Sequence, residues 1–151
     1  METLCLNTPL GDVTVFAHNQ HLVALDWGQG YDSPRTTQNP LLNQTAKALR
    51  RYFQGAAEDF SSLPLDPGGT PFQRRVWKQM QAIEIGKART YGQIAKHLGS
   101  SPRAVGTACG ANPIPIIIPC HRVVAQKALG GYSGGHGAET KTHLLHLEGY
   151  L

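Results

Sequence analysis

Cysteine is scarce in this chain, and the little there is forms no pattern. Cys5, Cys109 and Cys120 are the only three. None belongs to a CxxC pair, and an odd count argues against a disulfide framework and for a reducing compartment. His18, His21 and Cys5 match no standard zinc spacing, so no metal site is expected. No apolar run approaches the roughly 20 residues that span a bilayer, and the start Met1-Glu2-Thr3-Leu4 has no basic targeting region. These absences lead us to expect a soluble, cytoplasmic protein without membrane association. Basic residues are also short in the first half. Residues 1–70 carry 4 Lys and Arg (Arg35, Lys47, Arg50, Arg51) against 7 Asp and Glu, a net of −3. Residues 71–151 carry 10 against 3, a net of +7. A basic segment of this size fits a polyanionic partner, of which nucleic acid is the commonest.

The N-terminal half reads as a small antiparallel sheet followed by a helix. Thr3–Asn7, Asp12–Ala17 and His21–Trp27 are strand-like, separated by Thr8-Pro9-Leu10-Gly11 and His18-Asn19-Gln20. Leu41, Leu42, Thr45, Leu49, Tyr52 and Phe53 recur at helical spacing, and Gly55 closes that helix. Phe60–Leu65 reads as one further strand. Asp66-Pro67-Gly68-Gly69 is the candidate linker, because the sign of the charge changes directly after it. We therefore expect two domains, 1–66 and 67–151.

The second half opens with Thr70-Pro71, an N-cap followed by proline at the first helical position, and Phe72, Val76, Trp77, Met80 and Ile83 give that helix its apolar face. Thr90-Tyr91-Gly92-Gln93 is a capping box for a short helix stopped by Gly99, and Ser100-Ser101-Pro102 starts another. Two short helices joined by a glycine turn in a basic segment fit a helix-turn-helix; an ordinary helical hairpin has the same pattern. After Arg103 the second helix offers Ala104, Val105, Gly106, Ala108, Gly110 and Ala111. Small residues let a helix lie close to a groove without reading base sequence, and a single long cation suits insertion into a duplex. For Cys109, within this helix, we expect a packing role.

Asn112-Pro113 ends the helix, and the Asn112 amide can bridge backbone groups of the next turn. Ile116-Ile117-Ile118 reads as a buried strand leading into Pro119-Cys120-His121-Arg122-Val123-Val124. A thiol attacks only as a thiolate, and a neighbouring base or cation lowers its pKa. Here both are adjacent, although neighbours on an extended chain point to opposite faces. Ala125–Leu129 reads as a hairpin tip. Gly130-Gly131-Tyr132-Ser133-Gly134-Gly135 is a glycine-rich loop without the P-loop lysine, better suited to admitting a planar ligand against Tyr132 than to cradling phosphate. Thr140–Leu147 is helical, with Glu148 at its end. Cys120, His121 and Glu148 can act as nucleophile, base and orienting acid. A cysteine protease uses the same parts, but does not explain the helix-turn-helix beside them.

The motifs Tyr91-Gly92-Gln93-Ile94-Ala95, Arg103-Ala104-Val105-Gly106, Gly110-Ala111-Asn112-Pro113, Pro119-Cys120-His121-Arg122-Val123, Gly130–Gly135 and Leu147-Glu148-Gly149 together resemble the O6-alkylguanine-DNA alkyltransferases, the methylated-DNA–protein-cysteine methyltransferases. The resemblance is strong over about residues 65–151 and looser before them. It implies an α/β (α+β) protein: a small N-terminal sheet domain of ribonuclease H-like topology, and a C-terminal helical, winged-helix-like domain with a helix-turn-helix. It implies that Cys120 takes the alkyl group of O6-alkylguanine irreversibly, once per molecule. His121 would accept the thiol proton through a water, Glu148 would orient His121, and Asn112 would hold the turn. Tyr91 would donate to N3 of the flipped base and Ser133 to O6. The carbonyls of Cys120 and Val123 would accept from the exocyclic amine, and Tyr132 would line the alkyl pocket. Arg103 would fill the gap in the duplex, with Ala104, Thr90 and Ser101 beside it on the DNA. No cofactor is expected. The expected partner is double-stranded DNA containing O6-alkylguanine, met by a monomer, with cooperativity on DNA left open. Two alternatives stand beside this reading. One is a non-catalytic lesion sensor with an inert Cys120; the other is a Cys-His-Glu hydrolase. Turnover separates the three.

Overall fold

Thr8-Pro9-Leu10-Gly11 folds the first apolar run back on the second. The Thr8 hydroxyl donates to Gly11 O at 2.7 Å and accepts from Leu10 N at 3.1 Å. Strand β1 (Glu2–Thr8) thereby pairs antiparallel with β2 (Gly11–His18), with Leu4 opposite Val15 and Leu6 opposite Val13. Asn19 and Gln20 both take positive φ, 48° and 64°, the backbone of a two-residue hairpin turn whose twist matches that of its strands. That turn leads into β3 (His21–Trp27), antiparallel to β2. The sheet order is β1-β2-β3. The computed structural model describes every residue except Tyr31 and Ser133, and it forms two compact units, Met1–Pro67 and Gly68–Leu151.

Helix α1 (Pro40–Phe53) completes the first unit. Its N-cap Asn39 accepts from Leu41 N at 2.9 Å and Leu42 N at 3.2 Å. Leu42, Thr45, Ala46, Leu49 and Tyr52 form its buried face, the 3.6-residue period made physical. Residues 60–65 are not the strand that their apolar content suggests. Phe60 turns at φ 58°, Pro64 has no N–H to give, and only Leu65 bridges, in parallel, to Leu22. Phe60 and Leu63 are buried all the same, 4% and 5% exposed. The apolar signal there reports burial rather than pairing.

In the second unit α2 (Pro71–Gln81) begins at a reciprocal capping box: Gln73 N donates to the Thr70 hydroxyl at 3.1 Å, and Thr70 N donates to Gln73 Oε1 at 2.9 Å. Thr90 and Gln93 repeat the device at α3 (Tyr91–Leu98). Gly99 leaves that helix at φ 64°, ψ 39°, a left-handed cap that a side chain would strain. Ser101 then caps α4 (Pro102–Gly110) through its hydroxyl, which accepts from Ala104 N at 3.2 Å. Trp77, on the buried face of α2, donates its indole N–H to Ala108 O at 2.8 Å and so fixes α4. Helix α5 (Ala138–Leu147) buries Leu144 and Leu145.

Two expectations fail in this unit. Ile116–Ile118 is a turn, with Ile116 at φ 71° and Ile118 N reaching back to Ile114 O at 2.9 Å. Pro113, Pro115 and Pro119 flank the run, and each removes a ladder donor and fixes a φ, so the isoleucines pack without pairing. Ala125–Leu129 is not a hairpin tip. The short strand β5 (Val123–Val124) pairs in parallel with β4 (Arg89–Thr90), 34 residues upstream, rather than with the segment after it. No helix of the described residues is long and apolar enough to cross a membrane.

Candidate active site

Ile114, Ile116, Ile117 and Ile118 are 0–4% exposed and pack a turn that hydrogen bonds hold from both ends. Asn112 Nδ2 donates to Ile118 O at 2.8 Å, and Asn112 Oδ1 accepts from Ile114 N at 3.0 Å. Cys120 N donates to the same Ile118 carbonyl at 2.8 Å. The chain then winds into one 3₁₀ turn, Cys120–Arg122, before entering β5. The nucleophile candidate is thus seated on a packed turn and not at the end of a strand.

Cys120 is 7% exposed. It opens onto a cavity of about 630 Å³ that Tyr91, Arg103, Cys109, Gly131 and Tyr132 also line, a volume in the range of ligand pockets. Arg103 is exposed on the first turn of α4. Cys109 packs as expected, 8% exposed with its thiol donating to Met80 Sδ at 3.6 Å, and it also forms part of the cavity wall. Tyr91 lies against the glycine-rich loop: a Cβ on Gly130 (φ 78°) would come 2.9 Å from Tyr91 Cε2 and 3.0 Å from its hydroxyl. The loop therefore approaches the ring as only a glycine can. Tyr132 has a buried hydroxyl with no hydrogen-bond partner among the described residues, and after burial the Cys120 thiol is the group that acts on it most.

Behind Cys120 lies a buried ionic cluster. His121 and Glu148 have fully buried side chains, and His121 Nε2 lies 2.5 Å from Glu148 Oε2. A carboxylate can only accept, so Nε2 carries the proton and Nδ1 keeps the lone pair. Nδ1 is buried with no partner among the described residues. Burial, the largest influence, pushes the His121 pKa down, and the hydrogen bond and charge of Glu148 only partly oppose it. Burial likewise pushes the Cys120 thiol up, against Asn112 and Lys141. The pair at rest is a neutral thiol and a neutral imidazole whose vacant nitrogen is a base.

Sequence reasoning missed two cations. By sequence alone the Arg122 guanidinium, two residues after the thiol, is a candidate to activate it. Arg122 turns instead to Glu148, Nε to Oε1 at 2.8 Å and Nη2 to Oε2 at 3.1 Å. The cation that acts on Cys120 is Lys141, from α5. Lys141 is 0% exposed, donating to Val123 O at 2.6 Å and Gly131 O at 3.0 Å, and it lies 5.6 Å from the centre of the Tyr91 ring. Burial brings its pKa down to about 8. Nothing in Glu139-Thr140-Lys141-Thr142 distinguishes this lysine from a solvated one; only its packing does. Burial, followed by the charges of Cys109 and Cys120, pushes Tyr91 up to about 12, so its hydroxyl stays a donor.

Of the other expected residues, Thr90 and Ser101 spend their hydroxyls as helix caps, Ala104 is half-buried on α4, and Val123 offers its carbonyl already bonded to Lys141. Ser133 lies outside the described residues.

Comparison with known proteins gives this geometry a family. The profile described as "6-O-methylguanine DNA methyltransferase, DNA binding domain" matches residues 71–150, and "6-O-methylguanine DNA methyltransferase, ribonuclease-like domain" matches residues 3–67. A methylated-DNA–protein-cysteine methyltransferase of Metallosphaera sedula is 40% identical over 95% of this chain and 90% of its own length. The constitutive Bacillus subtilis protein of that name is 37% identical over 93% and 91%. Among solved structures, Mycobacterium tuberculosis OGT in complex with DNA superimposes with a TM-score of 0.85 at 37% identity, over 99% of this chain and 93% of that one. With both of its units matched in order and relatives this similar along nearly its whole length, the chain belongs to the 6-O-methylguanine DNA methyltransferase family.

Proposed function

We propose that this protein repairs double-stranded DNA by moving the alkyl group of an O6-alkylguanine onto Cys120, once per molecule, acting as a monomer. The domain of residues 67–151 does the chemistry, and residues 1–66 form a separate ribonuclease H-like domain. The observation that carries the reading is a buried cysteine opening onto a cavity, backed by an imidazole whose Nδ1 is vacant and whose Nε2 is held by a buried carboxylate.

His121 Nδ1 takes the thiol proton through a bridging water, and the imidazolium is balanced by Glu148. The thiolate attacks the alkyl carbon; the S–C bond forms as the C–O6 bond breaks, and the electron pair leaves with the guanine. Guanine is a poor leaving group as an anion, so donors placed where charge develops lower the barrier. Tyr91 donates at N3 and Ser133 at O6. The carbonyls of Cys120 and Val123 accept from the exocyclic amine; Val123 O bonds Lys141 with one lone pair and keeps another. Tyr132 walls the alkyl group. The product is a thioether, which water does not cleave, so the protein is spent. The thiol is the protein's own and the alkyl donor is the lesion, so the reaction asks for no cofactor.

A base in a stacked duplex cannot reach Cys120 and has to be flipped out, at a cost of a few kcal/mol. Arg103 fills the gap it leaves and offsets part of that cost. The small residues of α4, with Ala104, Thr90 and Ser101 at its approach, let backbone lie against backbone. Such binding tolerates any sequence and weakens with salt.

The test is intact-protein mass spectrometry after incubation with a duplex containing O6-methylguanine, followed by peptide mapping. One methylene gained on the Cys120 peptide, with the lesion restored to guanine and no gain in Cys120→Ala, is expected. An unmodified protein that still binds the duplex would replace this reading with a lesion sensor, and repeated turnover would replace it with a hydrolase.

A further inference from the structure

Arg122 follows the nucleophile and its base in the chain, yet the alkyl-transfer steps give it no task. Each of its three guanidinium nitrogens donates: Nε to Glu148 Oε1 at 2.8 Å, Nη2 to Glu148 Oε2 at 3.1 Å, and Nη1 to Ile83 O at 2.7 Å. Its side chain is 7% exposed and that of Glu148 0%. Glu148 Oε2 is therefore shared between Arg122 Nη2 and His121 Nε2.

A carboxylate buried this deeply without a cation takes up a proton rather than stay charged. A protonated Glu148 would fail His121 twice. It could donate to Nε2, which would drive the imidazole proton to Nδ1 and remove the vacant lone pair. It would also carry no charge to balance the imidazolium that forms as Cys120 loses its proton. A guanidinium is charged at every working pH, and its planar fork matches a carboxylate. We infer that Arg122 is a positioning residue for alkyl transfer: by holding Glu148 as an anion it sets the His121 tautomer and keeps the travelling proton on the imidazole. The inference rests on the Cys120–His121–Glu148 reading and adds a residue whose guanidinium reaches the reaction only through Glu148.

The signs of the competing effects decide what its loss does. The charge of Arg122 itself disfavours the imidazolium, while the hydrogen bond and charge of Glu148 favour it and are the larger influences. Taking Arg122 away relieves the smaller effect and endangers the larger one. Lys141 from α5 also opposes the imidazolium, and Cys120 and Tyr132 face the cluster from the cavity side. Helix α2 and helix α5 pack against the turn, but Arg74, Arg75 and Lys78 of the first and Glu139, His143 and His146 of the second are exposed, and from the segment after α2 the Ile83 carbonyl accepts from Arg122.

The test is single-turnover transfer from an O6-methylguanine duplex between about pH 5 and about pH 9. It compares wild type, Arg122→Met, Arg122→Lys, Glu148→Gln and the Arg122→Met/Glu148→Gln pair, with thermal unfolding of each as a folding control. Arg122→Met is expected to slow transfer at least about tenfold at pH 7 and to move the acid limb of the profile up by about 1–3 pH units, since the carboxylate has to lose a proton before His121 can act. Arg122→Lys keeps a cation but loses the two-pronged fork, so its limb is expected between those of wild type and Arg122→Met. With Glu148→Gln already in place, Arg122→Met moves the limb only by its own smaller effect on the imidazolium, well short of the shift it causes beside the native carboxylate. If Arg122→Met does not fold, Arg122→Gln takes its place with the same expected shift. A loss equal at every pH, a Lys variant shifted as far as the Met variant, or a shift in the Glu148→Gln background as large as in the native one would each overturn the inference. Wild type is the internal reference: if it transfers nothing, the function reading has failed, whereas a transferring wild type with an unmoved Arg122→Met limb removes Arg122 alone.

Discussion

Asn112→Ala removes both bonds that close the turn beneath Cys120, and the cost can be worked from the two ends. Ile114 is fully buried and among the described residues its N–H donates only to Asn112 Oδ1, so it becomes an orphan donor, worth about 1–3 kcal/mol. Ile118 O loses the Asn112 amide but keeps Cys120 N, so only a net hydrogen bond of about 0.5–1.5 kcal/mol goes with it. The sum is about 2–4 kcal/mol, within the 5–15 kcal/mol or so that holds a domain together, so the protein stays folded with its turn loosened. The chain has two tryptophans, Trp27 in the first unit and Trp77 in the second. A Trp27→Phe background, which removes an indole N–H that has no partner among the described residues, lets Trp77 report on the second unit alone. Its urea midpoint should fall by about 1–2 M at an m-value near 2 kcal/mol/M. Asn112→Asp isolates the donor arm, because it keeps an acceptor for Ile114 N and sets a carboxylate oxygen against Ile118 O. It should slow transfer at least about tenfold by adding negative charge beside the Cys120 thiolate. An Asn112→Ala protein within about 0.5 kcal/mol of wild type would refute the reasoning, since an orphaned buried N–H cannot cost so little.

Arg103→Ala should slow repair in duplex DNA at least about tenfold more than reaction with free O6-methylguanine, because only the duplex has a gap to fill; equal loss on both substrates contradicts that role. Gly130→Ala forces a side chain into left-handed backbone, about 1–2 kcal/mol, and against Tyr91 at 2.9 Å. A stability loss of that size with transfer slowed about 10- to 100-fold is expected from a displaced donor, and unchanged kinetics would free Tyr91 from its part. Lys141 has its pKa lowered from 10.5 to about 8 by burial. Between these values the unfolded chain holds a proton that the folded one has released, so this group's contribution to stability rises with pH across that window. Wild type measured against Lys141→Met should gain stability from about pH 8 to pH 10.5; a constant difference would mean that the lysine titrates as in water.

The sequence by itself determined whatever short-range chemistry decides. Thr70 and Thr90 with their glutamines three residues on, Ser101 before Pro102, and Gly99 at φ 64° fix where α2, α3 and α4 begin and where α3 ends, because a cap is satisfied within one turn of itself. The nucleophile, its base and Glu148 were legible as residue types in the right order, and the recognised motifs supplied their expected roles. Failures came wherever a partner lies far along the chain or a direction matters. Three β-branched isoleucines read as a strand, but apolar content cannot tell pairing from burial, and the flanking prolines decided for a packed turn. Val123–Val124 found its partner at Arg89–Thr90 and not in the next segment, a non-local pairing that no local signal encodes. The most consequential case is the cations. Arg122 adjoins the thiol's base in sequence yet spends its guanidinium on Glu148, 26 residues on, while the cation that reaches Cys120 is Lys141, which reads as one more polar residue of a surface helix. Sequence sets which charges exist; the backbone's curvature sets which way each side chain leaves it, and only the fold decides which charges meet.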